Sequence, residues 1–333
     1  MLRFLSTLIV LLVLALAAAG GALFWHVNSP LVLKSDPVEF HIAPGSGLRA
    51  AAREIATAGV EIDPWVLVIL GRGLGVDTAI KAGSYEVTSG ITPLDLLRKL
   101  TQGDVTQTDI TFVEGMTFRQ MRDRLDAHAD VRHDSKGLPD QEILRLLGAG
   151  EGTAEGLFFP DTYLFAKQSR DFDVLARAYR AMQKHLAREW EGRASGLPYT
   201  NAYQALTMAS IVEKETGRDQ DRAMIAAVFI NRLRQGMLLQ TDPSVIYGMG
   251  AKFDGNLRKR DLLADGPYNT YTRTGLPPTP IAMPGLASLQ AALHPAQSEA
   301  LYFVARGDGS SQFSRTLDEH NQAVNRYQKG GKR

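Results

Sequence analysis

The chain opens with one long apolar stretch, and its amphipathic segments come afterwards. Leu5 to Trp25 contains no charged side chain, and only Ser6 and Thr7 interrupt it with polar groups. Because a helix rises about 1.5 Å per residue, this stretch spans roughly 30 Å, the thickness of one hydrocarbon core. The pattern predicts a transmembrane anchor over residues 5–27, preceded by a short cytoplasmic N-terminus over residues 1–4.

The charges around this stretch favour one orientation. Arg3 precedes it and the first lysine after it is Lys34, which indicates a cytoplasmic N-terminus and an exported remainder. A cleaved signal peptide is the alternative, because small residues are concentrated between Ala17 and Ala22. We favour an uncleaved anchor, since the apolar stretch continues through Trp25 and is longer than a usual signal core.

A short strand, a glycine and a helix follow one another three times after the anchor. The strands begin near Val38, Ser84 and Ile110, and the helices are predicted at Leu48 to Ala58, Pro93 to Leu100 and Phe118 to Ala127. Apolar residues four positions apart should face a core in each helix, namely Ala51 with Ile55, Leu96 with Leu100, and Met121 with Leu125. Thr92 and Thr117 are the expected N-caps. The units predict an α+β scaffold, whether they share ancestry or only a common local arrangement.

The middle of the chain combines a loop-rich connector with an aromatic motif. Residues 132–156 hold several glycines and prolines around one amphipathic segment, Asp140 to Leu147. The motif Glu155-Gly-Leu-Phe-Phe-Pro-Asp-Thr-Tyr163 follows, and a helical pattern then runs from Asp173 to Trp190. Asp161 is either a catalytic acid or, as is more usual for an Asp after Pro, a turn residue.

A further helix is predicted from Asn201 to Lys214, and two glutamates lie at its end. Met208, Ile211 and Val212 define an apolar stripe on this helix. At 100° per residue Glu215 continues the stripe, whereas Glu213 projects about 160° away from Glu215. An apolar wall raises the pKa of a carboxyl group toward neutrality, as a proton donor requires. A glutamate that simply emerges into solvent at a helix end is the alternative for Glu215.

Composition then narrows the chemistry. The chain has 333 residues, and 37 Lys and Arg against 36 Asp and Glu leave no electrostatic footprint for nucleic acid. Cysteine is absent, which excludes disulfides and thiolate chemistry. HExxH, GxxxxGK[ST] and GxSxG patterns are also absent, so a zinc protease, a phosphate-binding loop and a nucleophile elbow are disfavoured. We expect no metal and no cofactor.

Loop-forming segments after the glutamates are rich in Tyr, Asn, Thr and Gln. They lie between Leu239 and Gly248, between Pro267 and Pro278, and between Pro280 and Gly285. Such side chains hydrogen-bond neutral hydroxyl and acetamide groups, and tyrosine rings stack on sugars. The ligand that they favour is a neutral polar polymer.

Ordered motifs along nearly the whole chain resemble those of the endolytic murein transglycosylase family, also described as YceG-like or MltG-type. They are Ala209 to Thr216 (ASIVEKET), Val228 to Leu233, Leu239 to Pro243, Val245 to Gly248, Tyr268 to Tyr271 and Gly275 to Pro278, with Val113 to Gly115, Phe159 to Tyr163 and Leu301 to Val304. The resemblance implies an α+β protein with a single N-terminal transmembrane helix, a small LysM-like α+β subdomain (37–104) and a larger mixed α/β catalytic domain (105–330). Thr279 and Met283 depart from the common motifs and receive no role.

The resemblance also implies the chemistry, with Glu215 as the essential acid. In the family mechanism one carboxyl protonates the glycosidic oxygen between N-acetylmuramic acid and N-acetylglucosamine within a glycan strand. The same carboxylate then takes the proton of the C6 hydroxyl, which closes a 1,6-anhydro ring. Candidates for orienting the substrate acetamide or the acid are Gln240, Tyr247, Tyr268 and Asn269, although turn capping and core hydrogen bonds are equally open for each.

Two other functions stay open at this point. A muramidase would share the acid but would need a second carboxylate, for which Asp242 and Asp161 are the candidates. A non-enzymatic, wall-binding scaffold for membrane-bound peptidoglycan synthases would need no acid. The expected partners are glycan strands, such synthases and the lipid bilayer, with no nucleic acid. The expected location is the bacterial inner membrane, with the catalytic domain outside the cytoplasm and a trimming or terminating action on nascent strands.

Overall fold

The computed structural model describes residues 2–150 and 152–329. Residue 1 of the predicted segment 1–4, and residues 151 and 330 of the predicted segment 105–330, therefore lie outside this description. The fold mixes helices and short strands and divides into two compact units. The N-terminal unit comprises Met1–Asp109 with Asp130–Arg132 and Leu164–Ser169. The C-terminal unit comprises Ile110–Ala129, His133–Tyr163 and Arg170–Arg333.

The first part of the chain alternates helices with short strands. The elements are α1 (Leu2–Asn28), β1 (Val32–Leu33), β2 (Val38–Ile42), α2 (Leu48–Ala58), β3 (Val60–Glu61), α3 (Pro64–Gly73), β4 (Gly83–Val87), α4 (Pro93–Gln102) and β5 (Gln107–Thr111). β2 and β4 pair antiparallel, with Val38 opposite Val87, and β1 pairs antiparallel with β3. The N-terminal unit therefore contains a β2-α2-α3-β4 arrangement closed by a two-stranded sheet.

The core of the N-terminal unit follows the predicted apolar positions. Ala51 and Ile55 of α2 and Leu96 and Leu100 of α4 are all fully buried. The side chain of Thr92 caps α4 by accepting the Asp95 N–H at 3.1 Å, which confirms that cap. Periodicity and cap chemistry were sufficient here because each helix buries one face and exposes the other.

The helix α1 is apolar from Leu8 to Trp25. Within residues 2–150 and 152–329, the segment Val10–Asn28 is the one helical span long and apolar enough to cross a membrane. Its C-terminal end exposes Phe24 and Trp25, whereas Val27 is buried. The coarse prediction of one N-terminal apolar helix, consistent with a single-pass anchor, is confirmed.

The rest of the chain is mainly helical. Its elements are α5 (Phe118–Asp126), β6 (Val131–Arg132), α6 (Asp140–Leu146), β7 (Thr162–Ala166), β8 (Ser169–Arg170), α7 (Asp171–Glu191), α8 (Ala202–Glu215), α9 (Asp219–Arg234), α10 (Asp242–Met249), α11 (Lys259–Leu263), α12 (Leu286–Leu293), β9 (Tyr302–Ala305), β10 (Ser311–Ser314) and α13 (Leu317–Val324). β9 pairs antiparallel with β10, β5 pairs with β7, and β6 pairs with β8. Short turns at Gly250–Lys252 and Asn325–Lys329 follow α10 and α13.

The helix α8 is buried on every side, which corrects the narrow stripe predicted from Met208, Ile211 and Val212. All eight residues of its central part are buried, from Ala205 to Val212. The reason is its position, because α7, α9, α10 and α12 all pack against it. A helix enclosed in this way loses the contrast between faces on which the periodicity argument rests.

The third predicted strand is displaced toward the N-terminus. Its expected start was Ile110, but β5 runs over Gln107–Thr111 and ends before the Val113-Glu114-Gly115 motif. The backbone after β5 instead bonds to a distant loop, since the Gly115 N–H donates to the Met283 carbonyl at 2.9 Å. The Met283 N–H donates in turn to the Met116 carbonyl at 2.8 Å. These bonds place Glu114 beside the loop that precedes α12.

Candidate active site

The candidate site is built at the carboxyl end of α8. This helix starts where the sequence predicts, because the Asn201 side chain accepts the Gln204 N–H at 3.0 Å as an N-cap. Inside the helix the hydroxyl of Ser210 donates to the Thr207 carbonyl at 2.7 Å and accepts the Ile281 N–H at 3.0 Å. The last residue of α8 is Glu215. Glu215 therefore lies at the end of a helix that is packed in the core and whose buried Ser210 hydroxyl has hydrogen-bond partners.

The carboxyl group of Glu215 lies in a desolvated environment. The Thr241 hydroxyl donates a short hydrogen bond to its Oε1. The pKa of Glu215 is raised from 4.5 to about 7, mainly by burial and also by the nearby Asp242 charge. The Thr241 hydroxyl and the Arg232 guanidinium act in the opposite direction. Close to neutral pH the group can hold a proton and can also release it, as a general acid and base must.

A buried arginine holds the segment that faces Glu215. Arg232 is 8% exposed, and its guanidinium donates to the carbonyls of Leu301 at 2.7 Å and Leu239 at 3.0 Å. It also donates to the side-chain oxygen of Gln240 at 3.3 Å. These acceptors fix the orientation of the Arg232 guanidinium. Its positive charge lies near Glu215 and lowers the Glu215 pKa. Arg232 belongs to the Val228 to Leu233 motif, but the sequence pattern indicated no role for its side chain.

The backbone turns at Gln240, and the next residue, Thr241, contacts the Glu215 carboxyl group. Gln240 has a φ of 53°, a left-handed conformation that a residue other than glycine seldom adopts. Its N–H donates to the Thr270 carbonyl at 3.0 Å, and the Thr241 N–H donates to the Thr270 hydroxyl at 3.0 Å. The structure thus places Gln240 at a turn that orients Thr241, and its side chain is engaged by Arg232.

The candidate second carboxylates are held differently. Asp242 begins α10, is exposed, and accepts the Tyr271 hydroxyl at 2.5 Å. Its charge is one of the causes of the raised Glu215 pKa, so it lies near the acid. Asp161 is exposed as well, and its Oδ1 accepts the N–H of Thr162 at 2.7 Å. That contact is typical of a turn residue.

Glu213 occupies a separate pocket on the same turn of α8. Its side chain is 6% exposed, and its Oε2 accepts the Gly285 N–H at 3.0 Å. Its Oε1 lies 3.8 Å from Nη2 of the buried Arg222. Glu114 is close by, because burial and the Glu213 charge both raise the pKa of Glu114. Glu213 is therefore buried like Glu215, but it has a backbone donor and a cation.

The packing in this pocket explains a glycine of the sequence. A Cβ atom at Gly285 would lie within 1.7 Å of the Oε1 atom of Glu114, far inside van der Waals contact. The Gly285 φ of −76° is ordinary for any residue. A side chain at this position would therefore need Glu114 to move, while the backbone conformation itself would accept any residue.

Two of the predicted tyrosines form a cluster with a glutamate that the sequence argument missed. The rings of Tyr247 and Tyr268 meet edge to face at 4.9 Å, and the Tyr268 hydroxyl lies 2.9 Å from that of Thr279. The Tyr247 hydroxyl donates to Oε2 of Glu155 at 3.2 Å. Glu155 is 5% exposed and its Oε1 accepts the Phe118 N–H at 3.0 Å. Burial raises the pKa of Glu155 to about 7.

The signal for Glu155 was the motif in which it stands. Glu155 is the first residue of the aromatic segment that ends at Tyr163. The sequence of that segment indicated no role for the glutamate. Thr279, which also received no role, is drawn into the same cluster by its contact with Tyr268. A buried carboxylate bonded to a tyrosine hydroxyl fixes the orientation of that ring.

Asn269 is engaged in holding its own loop. Its side-chain nitrogen donates to the carbonyls of Ala264 at 2.7 Å and Leu262 at 3.1 Å, and its oxygen accepts the Tyr271 N–H at 2.9 Å. The residue is 5% exposed. A substrate-orienting role for Asn269 stays a prediction, and the contacts correspond to the turn-capping alternative.

Two clefts of about 460 Å³ open on the C-terminal unit. One is lined by Tyr268, Asn269 and the α10–α11 segment, and the other by Tyr203, Thr207 and the Gly275 to Pro278 segment. Glu215 lines neither cleft. Tyr203 lies close to the tyrosine cluster, because the Tyr268 and Glu155 charges raise its pKa in addition to burial.

One group of side chains in the C-terminal unit has the composition of a metal site. Asp126, His133 and Asp171 can each place a ligand atom within 4.8 Å of the others. Asp171 is fully buried, and its Oδ2 accepts both the N–H and the hydroxyl of Ser135, at 2.9 and 2.6 Å. Its Oδ1 accepts the N–H of Phe172 at 2.6 Å. These bonds account for Asp171 as the start of α7.

Comparisons with known proteins identify the family of this arrangement. A model of the YceG-like family matches residues 40–326. A Bacillus subtilis (strain 168) protein named endolytic murein transglycosylase is 34% identical over 262 residues, which is 78% of this chain and 71% of the relative. A protein of the same name from Streptococcus pneumoniae serotype 2 is 27% identical over 353 residues, covering 94% of this chain. This chain spans 63% of the pneumococcal protein, less than two thirds of its length.

A solved structure agrees with these sequence relationships. The crystal structure of a yceG-like protein from Listeria monocytogenes superposes with a TM-score of 0.54 at 28% identity. The match covers 86% of this chain and 98% of the Listeria chain. By the extent of the family match and the identity to the Bacillus relative, the chain belongs to the YceG-like family.

Proposed function

We propose that this protein is an endolytic murein transglycosylase, a lyase that cleaves peptidoglycan strands internally. Its substrate bond is the β-1,4 link from N-acetylmuramic acid to N-acetylglucosamine, and its products end in 1,6-anhydromuramic acid. Membership of the YceG-like family and the names of the two relatives support this function. The observation that carries the mechanism is the desolvated carboxyl of Glu215, with a pKa of about 7 and a hydroxyl partner.

Glu215 suffices as the only proton carrier of this reaction. In its protonated form it gives its proton to the glycosidic oxygen while the C1–O bond breaks and C1 becomes oxocarbenium-like. The resulting carboxylate takes the proton from the C6 hydroxyl of the same muramic acid, and the O6–C1 bond forms. Glu215 ends the cycle protonated, and no water is consumed.

The neighbours of Glu215 keep it competent for both steps. Desolvation favours the neutral acid before cleavage. The Thr241 hydroxyl and the Arg232 charge stabilise the carboxylate that forms during cleavage, since both lower the Glu215 pKa. The fixed guanidinium of Arg232 provides this field without needing to move. Gln240 contributes through the turn that directs Thr241, and Tyr247 and Tyr268 are proposed to orient the sugar.

A muramidase is the second candidate, and Asp242 is the observation that favours it. A carboxylate near Glu215 could act as nucleophile or activate water, which a hydrolase requires. Asp242 is hydrogen-bonded to the Tyr271 hydroxyl and raises the pKa of Glu215. We assign it instead to tuning Glu215, since a nearby negative charge helps to keep the acid protonated.

The overall architecture is proposed along with the activity. The β2-α2-α3-β4 arrangement supports a LysM-like subdomain over residues 37–104 and a catalytic domain over residues 105–330. The helix α1 supports anchorage in the bacterial inner membrane, with residues 1–4 in the cytoplasm and the remainder outside. This location supports trimming or termination of nascent strands beside membrane-bound peptidoglycan synthases.

The product ends separate the candidate functions. Purified uncrosslinked glycan strands are incubated with the full-length protein in detergent and analysed by mass spectrometry. We expect shortened strands that end in anhydromuramic acid. Shortened strands with reducing muramic acid ends would establish the muramidase, and uncut strands that still bind the protein would establish the scaffold.

A further inference from the structure

The helix α3 is apolar on its outer face as well as on its inner face. Leu67 and Val68 point into the core of the N-terminal unit and are buried. Trp65 and Ile69, four residues apart on the opposite face, are 55% and 58% exposed, and Leu74 just beyond the helix is 55% exposed. A surface helix of a soluble domain ordinarily carries polar residues there. We call Trp65, Ile69 and Leu74 the α3 patch.

The chain gives the N-terminal unit almost no distance from the anchor helix. α1 ends at Asn28, and the Leu31 N–H already donates to the Ile91 carbonyl at 2.8 Å. Three extended residues span about 11 Å at most. Val27 in the last turn of α1 is 7% exposed, so the end of the helix is packed. If α1 spans a bilayer, the folded part of the N-terminal unit therefore starts within a few residues of the membrane surface.

One helix, α4, connects α3 to the anchor helix. α4 packs against both α1 and α3 within the same unit. Because α4 lies between them, the axes of α3 and α1 are separated by about two interhelical distances, roughly 20 Å. A surface so placed is within reach of the lipid headgroups at which α1 ends.

The chemistry around the patch is that of an interfacial surface. The Arg49 guanidinium lies 4.6 Å from the centre of the Trp65 ring, and Arg53 and Arg72 are exposed on α2 and α3. Tryptophan is enriched where hydrocarbon meets headgroups, and arginine beside it attracts anionic lipid phosphates. Helices that lie on membranes combine such an apolar face with basic flanks.

We propose that the α3 patch inserts into the headgroup region of the leaflet from which α1 emerges. This gives the N-terminal unit a second membrane contact and fixes its orientation on the bilayer. The proposal rests on the membrane anchorage given under the proposed function, because it is the anchor that brings α3 to the lipid. It does not depend on the transglycosylase activity.

The absence of native cysteine makes the contact directly measurable. Ile69→Cys in the full-length chain carries the only thiol, which accepts an environment-sensitive fluorophore. Thr57→Cys, at an exposed position of α2, is the matched control in the same unit. Each labelled protein is reconstituted into phosphatidylethanolamine–phosphatidylglycerol liposomes with or without lipids that carry a nitroxide near the headgroup.

We expect lipid nitroxide to quench the probe at position 69 at least about twofold more than the probe at position 57. Aqueous iodide should quench the two probes in the reverse order. Equal nitroxide quenching with free access of iodide to position 69 would overturn the proposal. Protection of position 69 from both quenchers would overturn it too, because protein rather than lipid would then cover the patch.

Alkaline carbonate extraction of the same liposomes separates failure of the anchor from failure of the patch. Retention of the chain with a water-exposed position 69 contradicts the α3 proposal alone. Release of the chain would contradict the anchor and would overturn the α3 proposal with it. The activity assay is independent of both results.

Discussion

The last turn of α8 places two glutamates in two different pockets, and their difference defines the site. The Glu213 side, with Gly285, Arg222 and Glu114, neutralises its buried carboxylate with a backbone donor and a cation. The Glu215 side, with Thr241, Asp242 and Arg232, offers a hydroxyl, a like charge and a guanidinium committed to backbone carbonyls. Burial alone therefore does not distinguish the two residues. The partners do, because Glu213 has a backbone donor and a cation, whereas desolvation raises the pKa of Glu215 to about 7.

The largest expected effect is on catalysis by Glu215→Gln. Glutamine keeps the size of the side chain but cannot carry the proton, so release of anhydromuramic ends should fall about 10³-fold, within the usual range for a general acid. The rate is measured by mass spectrometry on uncrosslinked strands. Glu189→Gln is the matched control, because Glu189 is a buried glutamate of α7 paired with Arg188. Equal losses in both variants would point to general damage rather than to chemistry.

The same substitution should stabilise the protein at neutral and alkaline pH. The Glu215 pKa rises from 4.5 in the unfolded chain to about 7 in the folded one, so the folded state binds the proton more tightly. The resulting cost to folding is absent below pH 4.5, grows as the pH rises, and is complete above pH 7. Removal of the ionisable group should gain at most about 3 kcal/mol at pH 8. Urea unfolding at pH 5 and pH 8 measures this, and an equal gain at both values would contradict the assignment.

Thr241→Val should affect catalysis less strongly and alter its pH dependence. The Thr241 hydroxyl lowers the Glu215 pKa, so its loss should move the alkaline fall of kcat/KM to higher pH. The rate at pH 7 should drop about tenfold, because the carboxylate formed during cleavage loses a hydrogen bond. Thr241→Ser, which retains the hydroxyl, should restore most of the rate. A fall in rate with an unmoved pH profile would assign Thr241 to packing alone.

Glu155→Gln should act mainly on substrate affinity. Glu155 holds the Tyr247 hydroxyl, and the Tyr247 ring packs against Tyr268. Loosening this cluster should raise KM about fivefold with a smaller change in kcat. Tyr247→Phe should have a similar effect, and the double variant should be no worse than either single one if they act through one contact. Additive losses would show that Glu155 and Tyr247 act separately.

The smallest expected effect on catalysis is that of Glu213→Gln. Glutamine can still accept the Gly285 N–H, so activity should stay within about threefold of the wild type. The buried Arg222 loses a counter-charge at 3.8 Å but keeps Asp219 as a partner, so the cost in stability should be at the low end for a buried pair, about 3 kcal/mol. Glycan cleavage and thermal unfolding measure the two effects. Abolished turnover in a folded Glu213→Gln protein would remove the distinction between the two pockets.

Two helices of the N-terminal unit, α2 and α4, could be predicted closely because they are amphipathic, whereas α3, apolar on both faces, was not predicted. α2 runs over Leu48–Ala58 as expected, and α4 exceeds its predicted end by only two residues. In the C-terminal unit Thr117 likewise caps α5 as predicted, with its side chain accepting the Gln120 N–H at 3.3 Å. In these elements burial of one face and local cap chemistry act in the same direction, so the sequence pattern was enough.

The C-terminal unit was less predictable because its site depends on long-range contacts. α8 is enclosed, so the helical wheel preferred Glu215 but placed Glu213 away from the core, whereas Glu213 is buried as well. Thr241 meets Glu215 across 26 residues of sequence, and Glu155 meets Tyr247 across 92. The periodicity of apolar residues along the sequence does not indicate contacts between residues so far apart. The aromatic motif indicated only that its region was dense, without revealing the partner of Glu155.

The most direct test of the central claim is digestion of uncrosslinked glycan strands in water enriched in ¹⁸O. If Glu215 alone carries the proton from the C6 hydroxyl, wild-type products will end in anhydromuramic acid and will contain no ¹⁸O, and Glu215→Gln will release almost none of them. Mass spectrometry of the muramic ends detects the label. Reducing ends that carry one ¹⁸O atom would show that water attacks C1, and they would contradict the account.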